Sequence, residues 1–239
     1  MQHAVRQIID PVLEGMDQEF GSAYSAVAYG SAARDEFTEG VSDVNLLLVC
    51  ETLRPETLRR MSPVLLGLRH LKQAPPLLIE RHEWDRAADV FPIEVTDMQL
   101  AHETLRGEDP VAPMKVDPAD LRRSLEQELR GKLLRLRQAY VVHQNEPRAL
   151  EDVAARTVTS IATLFRVALA LYGREVPGRT PACLAAAGTA LGVNTGPVLT
   201  LWEQRRRKES SCPPELFEGY LAAVGTAVRV IDQFTRGGN

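Results

Sequence analysis

Residues 26–49 read AVAYGSAARDEFTEGVSDVNLLLV, and this stretch decides the fold. Its first part, together with Ser25, is a short run of small and apolar residues that stops at Gly30-Ser31. Its last part, from Val44 to Val49, together with Cys50, is almost wholly apolar. Runs of this length and composition predict two buried strands. Between them we expect the start of a short helix, followed by an acidic loop that contains glycine.

The Gly30-Ser31 pair is a candidate phosphate site. At the start of a helix, backbone N–H groups and the helix dipole face outward and attract anions. The glycine allows the backbone to approach an anion closely, and the Ser31 hydroxyl can donate one more hydrogen bond. Ordinary turn chemistry also explains a Gly-Ser pair after a strand. The pair therefore indicates a site only in combination with other residues.

Further polar residues stand at the mouth of the second strand, in Ser42-Asp43-Val44-Asn45. Because strand side chains alternate, residues 43 and 45 project from the same face. An acid here is unusual for a core position, although capping of a neighbouring loop is the alternative explanation. Glu94 lies among the apolar residues of FPIEVTDM (91–98), which we predict to be an adjacent strand. A solvent-facing Glu94 is the alternative there.

In combination these residues resemble the nucleotidyltransferase superfamily, whose fold is shared by beta-type DNA polymerases and by aminoglycoside and lincosamide nucleotidyltransferases. The family pattern is a strand, Gly-Ser, a short helix, a loop, Asp-x-Asp on the next strand and a third carboxylate on a later strand. The match covers roughly residues 20–110. The resemblance implies a small mixed sheet, an NTP ligand with Mg²⁺, and transfer of a nucleoside monophosphate to a hydroxyl acceptor.

The resemblance also implies roles for individual residues. Gly30-Ser31 and Ser42 would bind the nucleotide, Asp43 would bind metal and act in catalysis, and Glu94 would supply the third carboxylate near the attacking hydroxyl. Asn45 is the departure, because the family has its second aspartate there. Asparagine keeps one oxygen ligand but lacks the charge that holds Mg²⁺. We therefore expect a weakened Mg²⁺ site at Asp43, Asn45 and Glu94, with weak, altered or absent catalysis all open.

The character of the chain changes after about residue 115, where Leu, Ala, Arg and Glu replace β-branched clusters. This indicates an α/β domain over residues 1–115 and an all-helical bundle over 116–239. Other elements predicted in the first domain are helices over 4–20 and 56–72, a strand over 76–80 and a helical turn over 82–88. The helices predicted in the second span 118–143, 147–173, 180–192, 196–208 and 213–236.

The first helix of the bundle carries a polar stripe that includes Glu128 and lies near Lys132. In the antibiotic nucleotidyltransferases that this arrangement resembles, the helical domain supplies a general base and cations for the triphosphate. Glu128 is our candidate for the base, and Lys132 for nucleotide binding. A surface ion pair between these two residues, four positions apart, is the alternative. The basic run Arg205 to Lys208 is better explained by solvation and by the helix dipole than by RNA binding.

Composition limits the possible partners. The 239 residues carry a net charge of −4, which makes binding of nucleic acid unlikely. Three cysteines in no CxxC arrangement favour a reducing cytoplasm. No run reaches about 20 apolar residues, so we expect a soluble protein without a membrane partner. The acceptor is a small molecule or a protein side chain, and a homo-oligomer or a protein partner is possible. The rival interpretation is a catalytically silent nucleotide sensor or an antitoxin-like protein-binding module.

Overall fold

The computed structural model describes residues 1–71, 73–207 and 211–234. The chain divides into two compact units, Met1–Val116 and Asp117–Asn239. The first unit contains, in chain order, α1 (His3–Phe20), β1 (Tyr24–Tyr29), β2 (Asn45–Cys50), α2 (Pro55–His70), β3 (Leu77–Glu80), α3 (Arg81–Trp84), α4 (Pro92–Leu100) and β4 (His102–Arg106). The second contains α5 (Pro118–His143), α6 (Pro147–Leu171), α7 (Thr180–Leu191), α8 (Gly196–Arg207) and α9 (Pro214–Asp232). An α/β unit followed by a helical bundle confirms the expected fold class.

The four strands form one mixed sheet in the order β3-β2-β1-β4. β1 is antiparallel to both β2 and β4, whereas β2 and β3 are parallel. In this register Tyr29 is paired with Asn45 on one side and with His102 on the other. The end of β1 before Gly30 therefore lies between these two polar residues.

Each face of the sheet is covered by its own set of helices. On one face, Ala26, Ala28 and Leu48 pack with the buried side chains of α1 and α2. On the other face, Val27 and Leu47 pack with α3 and α4. This is the alternation that strand geometry requires when both faces are buried. The candidate residues at the end of β1 and the start of β2 are thus held by a rigid sheet.

The prediction of a strand over residues 91–98 is wrong, because residues 92–98 belong to α4 and Phe91 is its N-cap. Pro92 occupies the first turn of the helix, where its missing N–H costs nothing. Val95 and Met98, one turn apart, are both fully buried against the sheet. This packing outweighs the β propensity of the branched residues. Glu94 consequently lies on a helix, and its side chain is exposed.

The short helix predicted after Gly30 is also wrong. Residues 30–35 form hydrogen-bonded turns, in which Arg34 N donates to Gly30 O (3.2 Å) and Glu36 N donates to Ser31 O (2.9 Å). Asp35 has a φ of 53°, in the left-handed region that ends a helical turn. The anion site expected at a helix N-terminus thus reduces to the N–H groups of a single turn.

The fourth strand, β4, was not predicted. Its sequence HETLR is polar and charged, and every residue is half-buried at the edge of the sheet. Charged residues are common on edge strands because they discourage pairing with other chains. An edge strand of this kind lacks the apolar alternation on which strand prediction depends.

The second unit is a helical bundle built around α6. α5 contributes an apolar stripe with helical spacing, formed by Leu121, Leu125, Leu129, Leu133 and Leu136. Among the described residues, α6 is the one helix long and apolar enough to cross a membrane, contrary to the expectation from the sequence. However, 56% of its most apolar window is buried. We therefore assign α6 to the core of the bundle.

The observed helix boundaries differ from the predicted ones by a few residues. Three predicted ends, at residues 72, 208 and 236, lie outside the described residues.

Candidate functional site

Gly30 and Asn45 are in close contact where the central strand β1 ends and the central strand β2 begins. Gly30 has a φ of +73°, which other L-residues rarely adopt. A Cβ atom at this position would lie 2.5 Å from the Asn45 side-chain nitrogen. The turn therefore requires glycine both for its backbone conformation and for the space that Asn45 occupies. The structure thus brings together the predicted phosphate residue and the altered metal position.

The face of the sheet that carries Asn45 also carries acidic groups from α4. Tyr29, the cross-strand partner of Asn45, has a phenol whose pKa is raised by burial and then by the negative charges of Glu94 and Asp97. The negative charge of α4 is thus felt at the end of β1. Glu94 acts there from a helix, and Asp97, one turn further along α4, is nearly buried.

Asp43 and Ser42 lie in the loop just before β2. The Asp43 side chain is exposed, and both residues line a cavity of about 430 Å³. The cavity is formed by α1, the loop that precedes β2 and the residues at the end of α2. The Ser42 hydroxyl accepts a hydrogen bond from Thr38 N (3.2 Å), so it also stabilises the loop. Asp43 is thus an accessible carboxylate at the mouth of the strand.

The sequence did not single out an ion pair between the turn after Gly30 and α4. Arg34 Nη1 donates to the two carboxylate oxygens of Asp97 at 3.3 and 3.5 Å, and Arg34 Nε lies 4.0 Å from Glu36 Oε2. The Arg34 and Asp97 side chains are only 7% and 10% exposed. The available signal was an arginine four residues after Gly30 and an aspartate one helical turn after Glu94.

The donor groups do not fit a pair of metal ions held by the protein. Asp43 in a loop and Glu94 on α4 each offer one exposed carboxylate, Asn45 offers only a neutral oxygen, and Asp97 is engaged by Arg34. Within residues 1–71, 73–207 and 211–234, no group of three or more His, Cys, Asp or Glu side chains is placed to hold a metal ion. A pair of Mg²⁺ ions requires several anionic oxygens at short range.

On α5, Glu128 is exposed and Lys132 is half-buried. Two ion pairs of this stretch involve the neighbouring Glu126, which lies 2.7 Å from both Arg122 and Arg130. Hydrogen bonds from Arg130 and then from Arg122 lower the pKa of Glu126.

The basic run at the end of α8 also makes local contacts. Arg207 lies 3.9 Å from Glu203, and the Arg206 guanidinium lies 4.8 Å from the centre of the Trp202 ring. Lys208 lies outside the described residues. These contacts agree with a solvated helix end.

Comparisons with known proteins support the fold. No family profile matches the chain, and no curated protein matches it in sequence. Among solved structures, the chain is similar to the spectinomycin adenyltransferase AAD(9) from Enterococcus faecialis, determined with ATP and spectinomycin. The alignment has a TM-score of 0.55 at 12% sequence identity and covers 95% of this chain and 99% of the other. The chain therefore has the two-domain fold of an aminoglycoside nucleotidyltransferase, as the resemblance of its motifs implied.

Proposed function

We propose that this chain binds a nucleoside triphosphate where β1 ends and β2 begins, at Gly30-Ser31 and Asn45. It would act as a sensor, without transferring the nucleotide. The N–H groups of the turn and the Ser31 hydroxyl would hold phosphate oxygens. Asp43 and Ser42, which line a cavity on the side of α1 and α2, would approach the triphosphate from the face opposite to α4. Any Mg²⁺ would be held mainly by the phosphates of the nucleotide.

The contact between Asn45 and Gly30 carries this proposal. It places a neutral amide against the turn, where the nucleotidyltransferase family has its second metal-binding aspartate. Phosphate binding needs the turn, whereas transfer in this family needs two closely held metal ions. The contact thus favours a site that retains the first property and lacks the second. The position of Glu94 on a helix, and the pairing of Asp97 with Arg34, support the same interpretation.

Thermal unfolding with ATP, GTP, CTP and UTP, each with and without MgCl₂, tests the proposal. A ligand that binds only the native state stabilises it by about 2.7 kcal/mol at a hundredfold excess over its Kd. We expect at least one nucleotide to raise the melting temperature, and Asp43→Ala to reduce the part of this shift that needs Mg²⁺. Absence of a shift with all four nucleotides would refute nucleotide binding.

A second candidate function is transfer of a nucleoside monophosphate to a hydroxyl, in which Glu128 would act as general base, Glu94 would assist and Lys132 would bind the triphosphate. The observation that favours it is the match over both domains of a spectinomycin adenyltransferase. Pyrophosphate release in the presence of candidate acceptors measures this activity. Release that depends on the acceptor and is lost in Glu128→Gln would establish transfer. Nucleotide binding without release would support the sensor.

We propose a cytoplasmic location, supported by three cysteines that are all buried thiols. The hydroxyl acceptor of a transferase would be a small molecule or a protein. A sensor would instead act through a protein partner or through a second copy of the chain. Size-exclusion chromatography of the purified chain, with and without the stabilising nucleotide, shows whether a second copy binds.

A further inference from the structure

The turn after Gly30 is closed by local contacts that do not fix its direction. Two backbone hydrogen bonds, from Arg34 N to Gly30 O and from Glu36 N to Ser31 O, set its shape. These bonds lie within the segment and would persist if the whole turn moved relative to the sheet. The direction of the turn is set by contacts with other elements. Ala32 is buried in the core with α1 and α2, Gln2 Nε2 donates to Asp35 O (3.1 Å), and on the other face Arg34 pairs with Asp97 of α4.

The ion pair between Arg34 and Asp97 supplies such a contact. Asp97 belongs to α4, and the neighbouring Val95 and Met98 are fully buried against the sheet, so α4 is firmly placed. Charges that are nearly buried interact more strongly than charges in water, because the surroundings screen them less. Glu36, 8% exposed, adds a second carboxylate near the same guanidinium.

We infer that Arg34 and Asp97 are positioning residues, which hold the turn against α4 so that the N–H groups of Gly30-Ser31 face the triphosphate. The inference rests on the proposed nucleotide binding. Neither side chain needs to touch the nucleotide. The tether also has a consequence for α4: a nucleotide that fixes the turn restrains this helix through the same pair.

Isothermal titration of the full chain with ATP and MgCl₂ tests the tether. We expect Arg34→Met to weaken ATP binding about tenfold, a usual size for coupling between two sites. Arg34→Lys keeps the charge, so it should retain more affinity than Arg34→Met. The control is Arg6→Met, which removes ion pairs with Glu103 (2.9 Å) and Asp10 (3.7 Å) from a side chain that is 40% exposed. We expect this control to bind ATP like the wild type.

A double variant separates positioning from folding. Arg34→Met alone removes the positive charge beside the nearly buried Asp97 carboxylate, which destabilises the fold. Arg34→Met/Asp97→Asn removes both charges, so its melting temperature should exceed that of the single variant. We expect ATP binding by the double variant to remain about tenfold weaker than wild type, since the tether is still missing. In hydrogen exchange, ATP should protect residues 92–100 in the wild type and not in the double variant.

The results of these titrations distinguish failure of the inference from failure of nucleotide binding. The inference is overturned if the double variant binds ATP as tightly as the wild type, if Arg6→Met weakens binding equally, or if Arg34→Lys binds no better than Arg34→Met. Each of these results leaves the proposed nucleotide binding intact. A wild-type chain that binds no ATP overturns both the inference and ATP binding, and the thermal panel then shows whether another nucleotide binds.

Discussion

At the scale of single residues, Gly30 meets two separate requirements, a left-handed backbone and close contact with Asn45. We predict that Gly30→Ala destabilises the first unit by at least about 1 to 2 kcal/mol, the cost of a left-handed conformation for a residue with a Cβ atom. The new Cβ would also displace Asn45 and so weaken nucleotide binding. Urea denaturation and nucleotide titration measure the two effects.

Gly67→Ala is the matched control for this substitution. Gly67 is exposed within α2, and a Cβ atom there would have nothing within 4 Å. Alanine is favoured over glycine in a helix by about 1 kcal/mol, so the control should be neutral or stabilising. Equal destabilisation by the two substitutions would show that the conformation and contacts of Gly30 are unimportant.

Asn45 sets the charge of the candidate site. We predict that Asn45→Asp strengthens Mn²⁺ binding about tenfold, because an added carboxylate near Asp43 raises the affinity for a hard cation. Electron paramagnetic resonance of free Mn²⁺ measures this affinity directly. The matched control is Asn145→Asp in the exposed link between α5 and α6, which adds the same charge elsewhere. A similar gain in both variants would mean that general electrostatics, and not the site, binds the ion.

At the scale of elements, α1 is joined to the sheet by a polar cluster. The Tyr24 hydroxyl of β1 donates to Asp17 Oδ1 of α1 at 2.6 Å, and Arg106 Nε of β4 donates to Asp17 Oδ2 at 3.0 Å. The hydrogen bond from Tyr24 is the largest influence on Asp17, and the pKa of this carboxyl is lowered from its ordinary 3.8. Its contribution to stability is therefore present above pH 3.8 and is lost as the pH falls through the lowered pKa.

We predict that Tyr24→Phe destabilises the first unit by about 1 kcal/mol near neutral pH, since Asp17 is partly exposed and the solvent screens it. The difference from wild type should narrow below pH 3.8, because Asp17 takes up a proton first in the unfolded chain and then, at the lowered pKa, in the native state. Urea denaturation over a pH series, with Asp17→Asn as reference, measures this. A difference that stays constant down to the acid limit would contradict the role of Asp17.

The elements also show what a sequence can predict. β1 and β2 were predictable because each is an apolar run buried on both faces. The identity of α4 was not predictable, because Val95 and Thr96 favour strands and only packing against the finished sheet makes them helical. The contact between Gly30 and Asn45 follows from the pairing of Tyr29 with Asn45, which no local pattern contains. The tether between Arg34 and Asp97 spans 63 residues and depends on the same tertiary packing.

At the scale of the whole molecule, charge is the basis for expecting a nucleotide rather than nucleic acid as the ligand. The net charge is −4, and the basic end of α8 has an acidic and an aromatic neighbour of its own. Binding of a duplex requires several cations free to contact phosphates. A nucleotide needs only a few N–H groups and one or two charges. The candidate site in Met1–Val116 offers the N–H groups of one turn and the Ser31 hydroxyl.

Each of the two units is compact by itself, so a substitution inside the helical bundle tests whether nucleotide binding depends on the bundle. Leu125→Ala should lower the free energy of unfolding of the helical bundle by about 2 to 5 kcal/mol, because this α5 side chain is fully buried and alanine leaves a cavity. Leu134→Ala on the same helix should change it by less than about 0.5 kcal/mol, since Leu134 is 58% exposed. If nucleotide binding needs only Met1–Val116, both variants should bind ATP like the wild type below their melting temperatures. Urea denaturation followed by ATP titration measures both quantities, and weaker binding by the folded Leu125→Ala variant would assign part of the site to the bundle.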